Sequence, residues 1–365
     1  MRKIIIIILV AIAAGSSAPV YGVETAEQQP SPEISAQTAI MIEANSGEEL
    51  YEKNPQEKAY PASITKIMTA LLAIENGNPD KKVKVSDNAA GVEGSSIYLE
   101  PGEMITLRDL VYGLMLRSGN DAAIAIAEEI GGSVDNFVLM MNKRARELGA
   151  YNTHFVNPNG LHDPDHYTTA QDMALISMAA MKNPEFRKVA GAKSWVTDRG
   201  EGKYNYFYNK NKVVYQYNGG NGIKIGYTKA AGRTLVASSE RDGMELICVV
   251  MNAPDWFRDT YKLMDYAYSQ YETAKIMAAQ SPLKAVKIWG GYKDYVLIGS
   301  REDVLCPLKK GTDSRISVVY VLPQHQKAPV RRWQEAGRLK IYVDGKYLFS
   351  RPLLYLEDVD PQFGR

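Results

Sequence analysis

The chain has 365 residues, of which 45% are hydrophobic and 23% charged, with 43 lysines and arginines against 42 aspartates and glutamates. That length exceeds what one small core organises and points to two domains. A formal charge of +1 excludes a bulk electrostatic pull toward nucleic acid or a lipid surface, and two cysteines, Cys248 and Cys306, are too few for a disulfide framework and read as small buried hydrophobes.

In chain order, MRKIIIIILVAIAAGSSAPVYG has a basic start (Arg2, Lys3), an apolar run from Ile4 to Ala14 and then small residues. This is the layout of a secretory signal peptide over residues 1–22, too short for a membrane span, with export as its consequence. Residues 23–37 are polar, carry two prolines and read as a flexible leader. TAIMIEANSGEELYEKN predicts a β-hairpin turning through Asn45-Ser46-Gly47. PASITKIMTALLAIE predicts a buried helix with Ser63 and Lys66 one turn apart at its start.

Thr106 is a candidate N-cap for the next helix, with Leu107, Leu110, Val111 and Leu114 as its buried stripe. A further helix spans about Asp121 to Ile130 and stops at Gly131-Gly132. VDNFVLMMNKRARELG and TTAQDMALISMAAMKN predict two more, the latter capped by Thr169. The character then becomes strand-like in KYNYFYNKNKVVYQYN, GIKIGYT, GRTLVASSE and ELICVVM. The last two are joined by a hairpin turn at Arg241-Asp242-Gly243, and a helix in RDTYKLMDYAYSQYE closes the unit. Strands at both ends with helices between them predict an α/β (α+β) domain, one antiparallel sheet with helices packed on it. After Ser281-Pro282 the pattern is β throughout. The expected division is a domain over 38–280, a small all-β domain over 283–356, and a tail over 357–365. The terminal LYLEDVDPQFGR is acidic and interrupted by Pro361, so it predicts no amphipathic anchor helix.

Three short segments carry chemistry. A serine hydroxyl needs a base to become a nucleophile, and a lysine can be that base if burial and neighbouring positive charge lower its pKa. Ser63 and Lys66 have this relationship, although Ser-x-x-Lys alone is common. Ser118-Gly119-Asn120 lies between two helices and could present a hydroxyl and an amide to a cleft, or simply cap them. Lys224-Ile225-Gly226, followed by Tyr227-Thr228, lies on a strand whose glycine lets another chain approach the sheet edge; an edge lysine that blocks aggregation is the plain alternative. The order of the three segments is what distinguishes them from isolated matches.

That order resembles the signature of penicillin-binding proteins and class A β-lactamases. PASITKIMTALLAIE, LRSGNDAA, NPNGLHDPDHYTTAQDMA and NGIKIGYTKAAGRTLVAS are similar to the low-molecular-weight D-alanyl-D-alanine carboxypeptidases of serine peptidase family S11, over about residues 36–356. The resemblance implies a β-lactamase/transpeptidase-like domain, with the β-rich region as that family's C-terminal domain. It implies peptidoglycan stem peptides ending in D-Ala-D-Ala and β-lactam antibiotics as partners, with no cofactor, metal or nucleic acid. Ser63 would form the acyl-enzyme, Lys66 would accept its proton, Ser118 would relay protons and Asn120 would hold the substrate amide. Lys224, Ile225, Gly226, Tyr227 and Thr228 would line the substrate, and the backbone N–H groups of Ser63 and Tyr227 would form the oxyanion hole.

One position departs from the family pattern. Ile225 stands where the family has threonine, which removes a hydroxyl that binds the substrate carboxylate. This keeps a catalytically weakened peptidoglycan-binding protein as an alternative. A serine β-lactamase is the other, but residues 151–162 supply no glutamate to activate a deacylating water. His162 and His166 have metal-pair spacing, yet Pro164 between them favours a loop. Tyr204, Tyr206 and Tyr208 alternate with period two and could stack on glycan rings, but one half-buried strand face explains them more cheaply, and Arg258 is a weak candidate for carboxylate recognition.

Overall fold

A computed structural model gives the fold, describing the backbone of residues 6–8 and residues 31–362. Apart from the short strand Ile6–Ile8, the expected signal peptide and residues 23–30 of the leader lie outside the described residues. The chain divides into two compact units, Ser31–Tyr268 and the part from Ser269 onward.

The first unit is built on a five-stranded antiparallel sheet of β1 (Thr38–Glu43), β2 (Glu49–Lys53), β3 (Gly220–Thr228), β4 (Gly232–Arg241) and β5 (Met244–Met251). Its order is β2-β1-β5-β4-β3, so the two ends of the unit meet where β1 pairs with β5, and β3 forms an edge. The hairpin between β4 and β5 turns through Asp242 and Gly243, both at positive φ (49° and 77°), as a two-residue turn matching strand twist requires.

The helices between these strands are α1 (Lys66–Asn76), α2 (Leu107–Tyr112), α3 (Asn120–Gly131), α4 (Val134–Glu147), α5 (Ala170–Met181), α6 (Pro184–Gly191) and the short α7 (Val213–Gln216), and α8 (Trp256–Gln270) follows the last strand. Thr106 caps α2 by accepting from the Asp109 N–H, and Thr169 caps α5 by accepting from Asp172 N–H. α1 is buried from Lys66 to Ala73 and runs through the main core, which also takes Ile40, Ile42, Val236, Ile247 and Val249 from one face of the sheet. On α8, Leu263, Met264 and Ala267 are buried, and Tyr268 hydrogen-bonds Ser239 of β4.

Three expectations change here. The strand-like run from Lys203 to Asn218 forms only a three-residue strand, Tyr206–Tyr208, paired with Ser194–Val196, followed by α7. Alternation within that strand buries Phe207 completely and leaves Tyr206 and Tyr208 60% and 61% exposed, so these tyrosines do not form a half-buried face. The domain division also falls before residue 280, because Tyr271–Met277 pairs with Val304–Lys309 of the second unit.

The second unit has its own core and is all β, its largest sheet containing Lys284–Trp289, Tyr295–Gly299, Ile316–Val321, His325–Lys327, Glu335–Val343 and Lys346–Tyr355. Ile6–Ile8 runs parallel to Ile316–Val321 at its edge. The segment expected as a tail after residue 356 belongs partly to this unit, since Val359 is buried and bridges Val330, and Pro361 bridges Gly291. Cys248 and Cys306 are buried and unbridged. Among the described residues no helix is long and apolar enough to cross a membrane.

A buried ion pair sets one wall of the first unit. Arg199 bonds both oxygens of Glu103 at 2.6 and 3.0 Å, and its remaining donors hold the carbonyls of Ile97, Tyr98 and Tyr204. From the other side, the Asp121 carboxylate at the start of α3 accepts from the N–H groups of Ile97 and Leu99. Removing one partner of a buried pair strands the other charge. Glu103→Ala is therefore expected to destabilise the protein by about 3–5 kcal/mol, measured as a lowered denaturant midpoint for the unfolding of this unit.

Candidate active site

Ser63 lies in a 3-10 turn, Ala62–Thr65, that leads directly into α1. The sequence predicted an α-helix through this point, and the tighter turn has a consequence. Residues i and i+3 eclipse in 3-10 geometry, which favours Lys66 lying over Ser63, with Nζ 3.0 Å from Oγ. Lys66 is fully buried. Its Nζ also contacts Asn120 Oδ1 at 2.7 Å and the Asn159 carbonyl at 2.5 Å. Burial first, then the Lys224 ammonium, hold its pKa well below the ordinary lysine value; Lys210 adds to the depression and Asp121 opposes it.

Each contact of Lys66 is supported from behind. Asn120 begins α3, and its Nδ2 donates to the Glu93 carbonyl at 2.6 Å, which fixes the direction of its Oδ1. The loop 157–160 is tied to itself by Gly160 N–H to Asn157 Oδ1 and Leu161 N–H to Asn159 Oδ1, and to α1 by Thr69 Oγ1 donating to the Pro158 carbonyl. Gly160 stands at φ +82°, and a Cβ there would lie 1.9 Å from the Ala62 carbonyl oxygen, so only glycine allows the loop this close to the Ser63 turn.

Ser118 ends a π-helical segment, Gly113–Arg117, in the left-handed conformation at φ 64°. That conformation costs a non-glycine residue about 1–2 kcal/mol and sets Ser118 and Asn120 on the two sides of Gly119. Ser118 is buried, and among the described residues its hydroxyl makes no hydrogen bond, to Lys66 or to any other group.

The edge strand β3 completes the grouping. Lys224 is buried, which excludes the solvated edge-lysine reading, and its Nζ donates to the Ile225 carbonyl at 3.0 Å. Burial and the charge of Lys210 bring its pKa down to about 7. A Cβ on Gly226 would lie 2.8 Å from the Ser63 backbone nitrogen, and the cross-strand partner Thr234 donates its hydroxyl to the Pro61 carbonyl, so β3 packs its glycine against the Ser63 turn. Strand alternation then puts Ile225 and Tyr227 on the other face, where Ile225 is half-buried beside Leu235 and Tyr227 is exposed. Thr228 Oγ1 accepts from the Ala231 N–H. Arg258 is exposed and pairs with Asp255.

Two residues, Asn159 and Lys210, escaped the sequence reading, and His166, which it placed in a loop, has a contact role it did not foresee. Asn159 contributes a backbone carbonyl, which no side-chain pattern announces. Lys210 donates to Ser95 Oγ at 3.3 Å and acts on both buried lysines, although it lies outside every motif. His166 is buried, with its pKa lowered to about 4, first by desolvation. Val156 N–H donates to its Nδ1, so the neutral ring carries its proton on Nε2, 2.9 Å from Thr65 Oγ1, and straps the loop to the Ser63 turn. His162 instead packs edge-on against Tyr60.

Ser63, half-buried, lies within hydrogen-bonding distance of the buried Lys66, which also contacts Asn120 and feels the charge of Lys224, an arrangement chemically suited to serine acyl transfer on a transpeptidase-like fold. Residues 23–255 match the D-alanyl-D-alanine carboxypeptidase family, peptidase family S11, and residues 271–361 match the C-terminal domain of penicillin-binding protein 5. The chain is 36% identical over 334 residues to the D-alanyl-D-alanine carboxypeptidase DacF of Bacillus subtilis, covering 89% of this chain and 86% of that protein. DacC of Escherichia coli is 31% identical over 92% of this chain and 87% of its own length. The crystal structure of penicillin-binding protein 5 from Haemophilus influenzae superposes with a TM-score of 0.70 at 32% identity, over 92% of this chain and 100% of that one. The chain belongs to the D-alanyl-D-alanine carboxypeptidase family S11 and is a low-molecular-weight penicillin-binding protein.

The lysine cluster gives a test that does not depend on turnover. Lys210→Met removes a positive charge felt by Lys224, whose pKa is expected to rise from about 7 while staying below the ordinary lysine value, because burial is the larger cause. Side-chain NMR titration of isotope-labelled lysines reads the shift, and an unmoved Lys224 would contradict the coupling.

Proposed function

We propose that Ser63 is the nucleophile with which this serine-type carboxypeptidase removes the terminal D-alanine from peptidoglycan stem peptides ending in D-Ala-D-Ala. The observation that carries the reading is the burial of Lys66 within hydrogen-bonding distance of the Ser63 hydroxyl. A neutral amine has two N–H donors and one lone pair. The carbonyl oxygens of Asn120 and Asn159 take the two donors, which leaves the lone pair for the Ser63 proton.

In the proposed reaction Ser63 Oγ bonds to the carbonyl carbon of the penultimate D-alanine as its proton passes to Lys66. The oxyanion is held by the backbone N–H groups of Ser63 and Tyr227, each such donor being worth about 2.7–4 kcal/mol. When the tetrahedral species collapses, the C–N bond breaks and the leaving amine takes a proton from Lys66 through Ser118, whose uncommitted hydroxyl suits that relay. Water then hydrolyses the ester with Lys66 again as base. Asn120 holds the substrate amide, and Lys224 with Thr228 faces the terminal carboxylate. The edge position of β3 supports a substrate strand lying along it. β-Lactams would acylate the same serine. The lack of a glutamate in residues 151–162 disfavours a β-lactamase. We also propose that the basic–apolar start of the chain directs export, so that the reaction occurs outside the cytoplasmic membrane.

The deciding assay is release of D-alanine from a soluble pentapeptide ending in D-Ala-D-Ala. The wild type is expected to release it, Ser63→Ala is expected to fall to background, and release by the alanine variant would refute the role of Ser63. Ile225 lacks the hydroxyl that the family pattern supplies, and one hydrogen bond to a charged group is worth about 1.5–3 kcal/mol. Ile225→Thr is therefore expected to raise the second-order rate of penicillin acylation by about ten- to a hundredfold. An unchanged rate would mean that the carboxylate is held without residue 225.

A further inference from the structure

The exposed tyrosines beside the cleft are unused by this chemistry. Tyr206 and Tyr208 point outward from the short strand Tyr206–Tyr208 with 60% and 61% of their surface exposed, next to Val196 on the paired strand. Residues two apart on a strand sit on one face about 7 Å from each other, so the two rings form a short ladder. This ladder is held rigidly. Phe207 and Trp195 anchor its inner face, with Trp195 stacked on Tyr112 at 3.8 Å and its Nε1 donating to Asp109. Rings displayed on a fixed hairpin lose little entropy when they bind.

The ladder is also continuous with the catalytic cleft. Arg117, which precedes Ser118, donates to the Tyr208 carbonyl at 3.0 Å. Lys210, two residues after Tyr208, bonds Ser95, whose own carbonyl accepts from the Asn120 N–H. Across this junction Tyr98, 69% exposed, meets Tyr204 edge-on, and Arg199 holds the carbonyls of both.

We propose that Tyr206 and Tyr208 form a carbohydrate-binding platform that stacks on the amino-sugar rings of the glycan strand bearing the stem peptide. The inference rests on the proposed reading of the Ser63 site and adds the polymer as the substrate the cleft is built to meet. Aromatic faces suit sugars because a pyranose ring offers an apolar C–H surface with polar groups at its rim, which matches a ring whose hydroxyl stays in water. The lysines and arginines along the junction are engaged with serine and carbonyl groups, so stacking rather than charge would supply the contact.

The test compares two substrates and one ligand, using the full chain. For Tyr206→Ala/Tyr208→Ala, kcat/KM on insoluble peptidoglycan is expected to fall about tenfold, through KM. Release from the soluble pentapeptide and acylation by penicillin are expected to stay unchanged, and Tyr206→Phe/Tyr208→Phe, which keeps the rings, should retain polymer activity. Equal loss on polymer and soluble peptide, or no loss on polymer, would overturn the platform. Glycan strands stripped of their stem peptides should bind the wild type and not the alanine variant. This arm is independent of turnover, so it separates failure of the platform from failure of the Ser63 reading. No binding by the wild type, or preferential binding of free cross-linked stem peptides, would overturn the glycan assignment.

Discussion

The proposed site depends on an amine whose charged form burial disfavours. Lys66 is enclosed at the start of a core helix, and transferring an ammonium into such a place costs several kcal/mol unless anions compensate. Its immediate partners are a hydroxyl and two carbonyl oxygens, none of them charged. The charges that act on it are two further lysines, Lys224 and Lys210, and, opposing them, Asp121. Asp121 is engaged in holding the loop at Ile97 and Leu99. Desolvation and like charge therefore act in the same direction, both lowering the pKa of Lys66.

In the proposed mechanism the amine is useful only if its lone pair is aimed. That task falls to parts of the chain remote in sequence: the loop 157–160, the start of α3 and the edge of β3. Each is fixed by a local device that tolerates little change. Gly160 admits the loop against the Ala62 carbonyl, the Glu93 carbonyl sets the Asn120 amide, and Gly226 brings β3 against the Ser63 nitrogen. His166 adds a strap that works because the ring is neutral, with one nitrogen accepting and the other donating. A histidine kept neutral by burial is here a rigid connector rather than a catalyst.

The same principle extends to the rim. The Arg199–Glu103 pair, nearly inaccessible to solvent, joins the loop carrying Tyr98 to the segment carrying Tyr204. An exposed aromatic cluster on a mobile loop would be a liability. On a rim braced by a bidentate ion pair and a stacked tryptophan it is a surface with a defined shape.

Much of this was legible in the sequence because it is written in local chemistry. Apolar periodicity marked the core helices, threonines marked the caps of α2 and α5, and Asp-Gly marked the turn between β4 and β5. The order of the three motifs identified the family. Other features depended on neighbours that the sequence does not reveal. Alternation says that Tyr206 and Tyr208 share a side, but only packing decides that Phe207 takes the inside. The pairing of Tyr271–Met277 with Val304–Lys309 moved the domain division ahead of the proline that seemed to mark it. The carbonyl of Asn159 and the charge of Lys210 reach the site through folding alone. Periodicity and turn preference act over a few residues, and so a sequence records them. Desolvation and the approach of distant charges arise only when separate segments close around the same few ångströms.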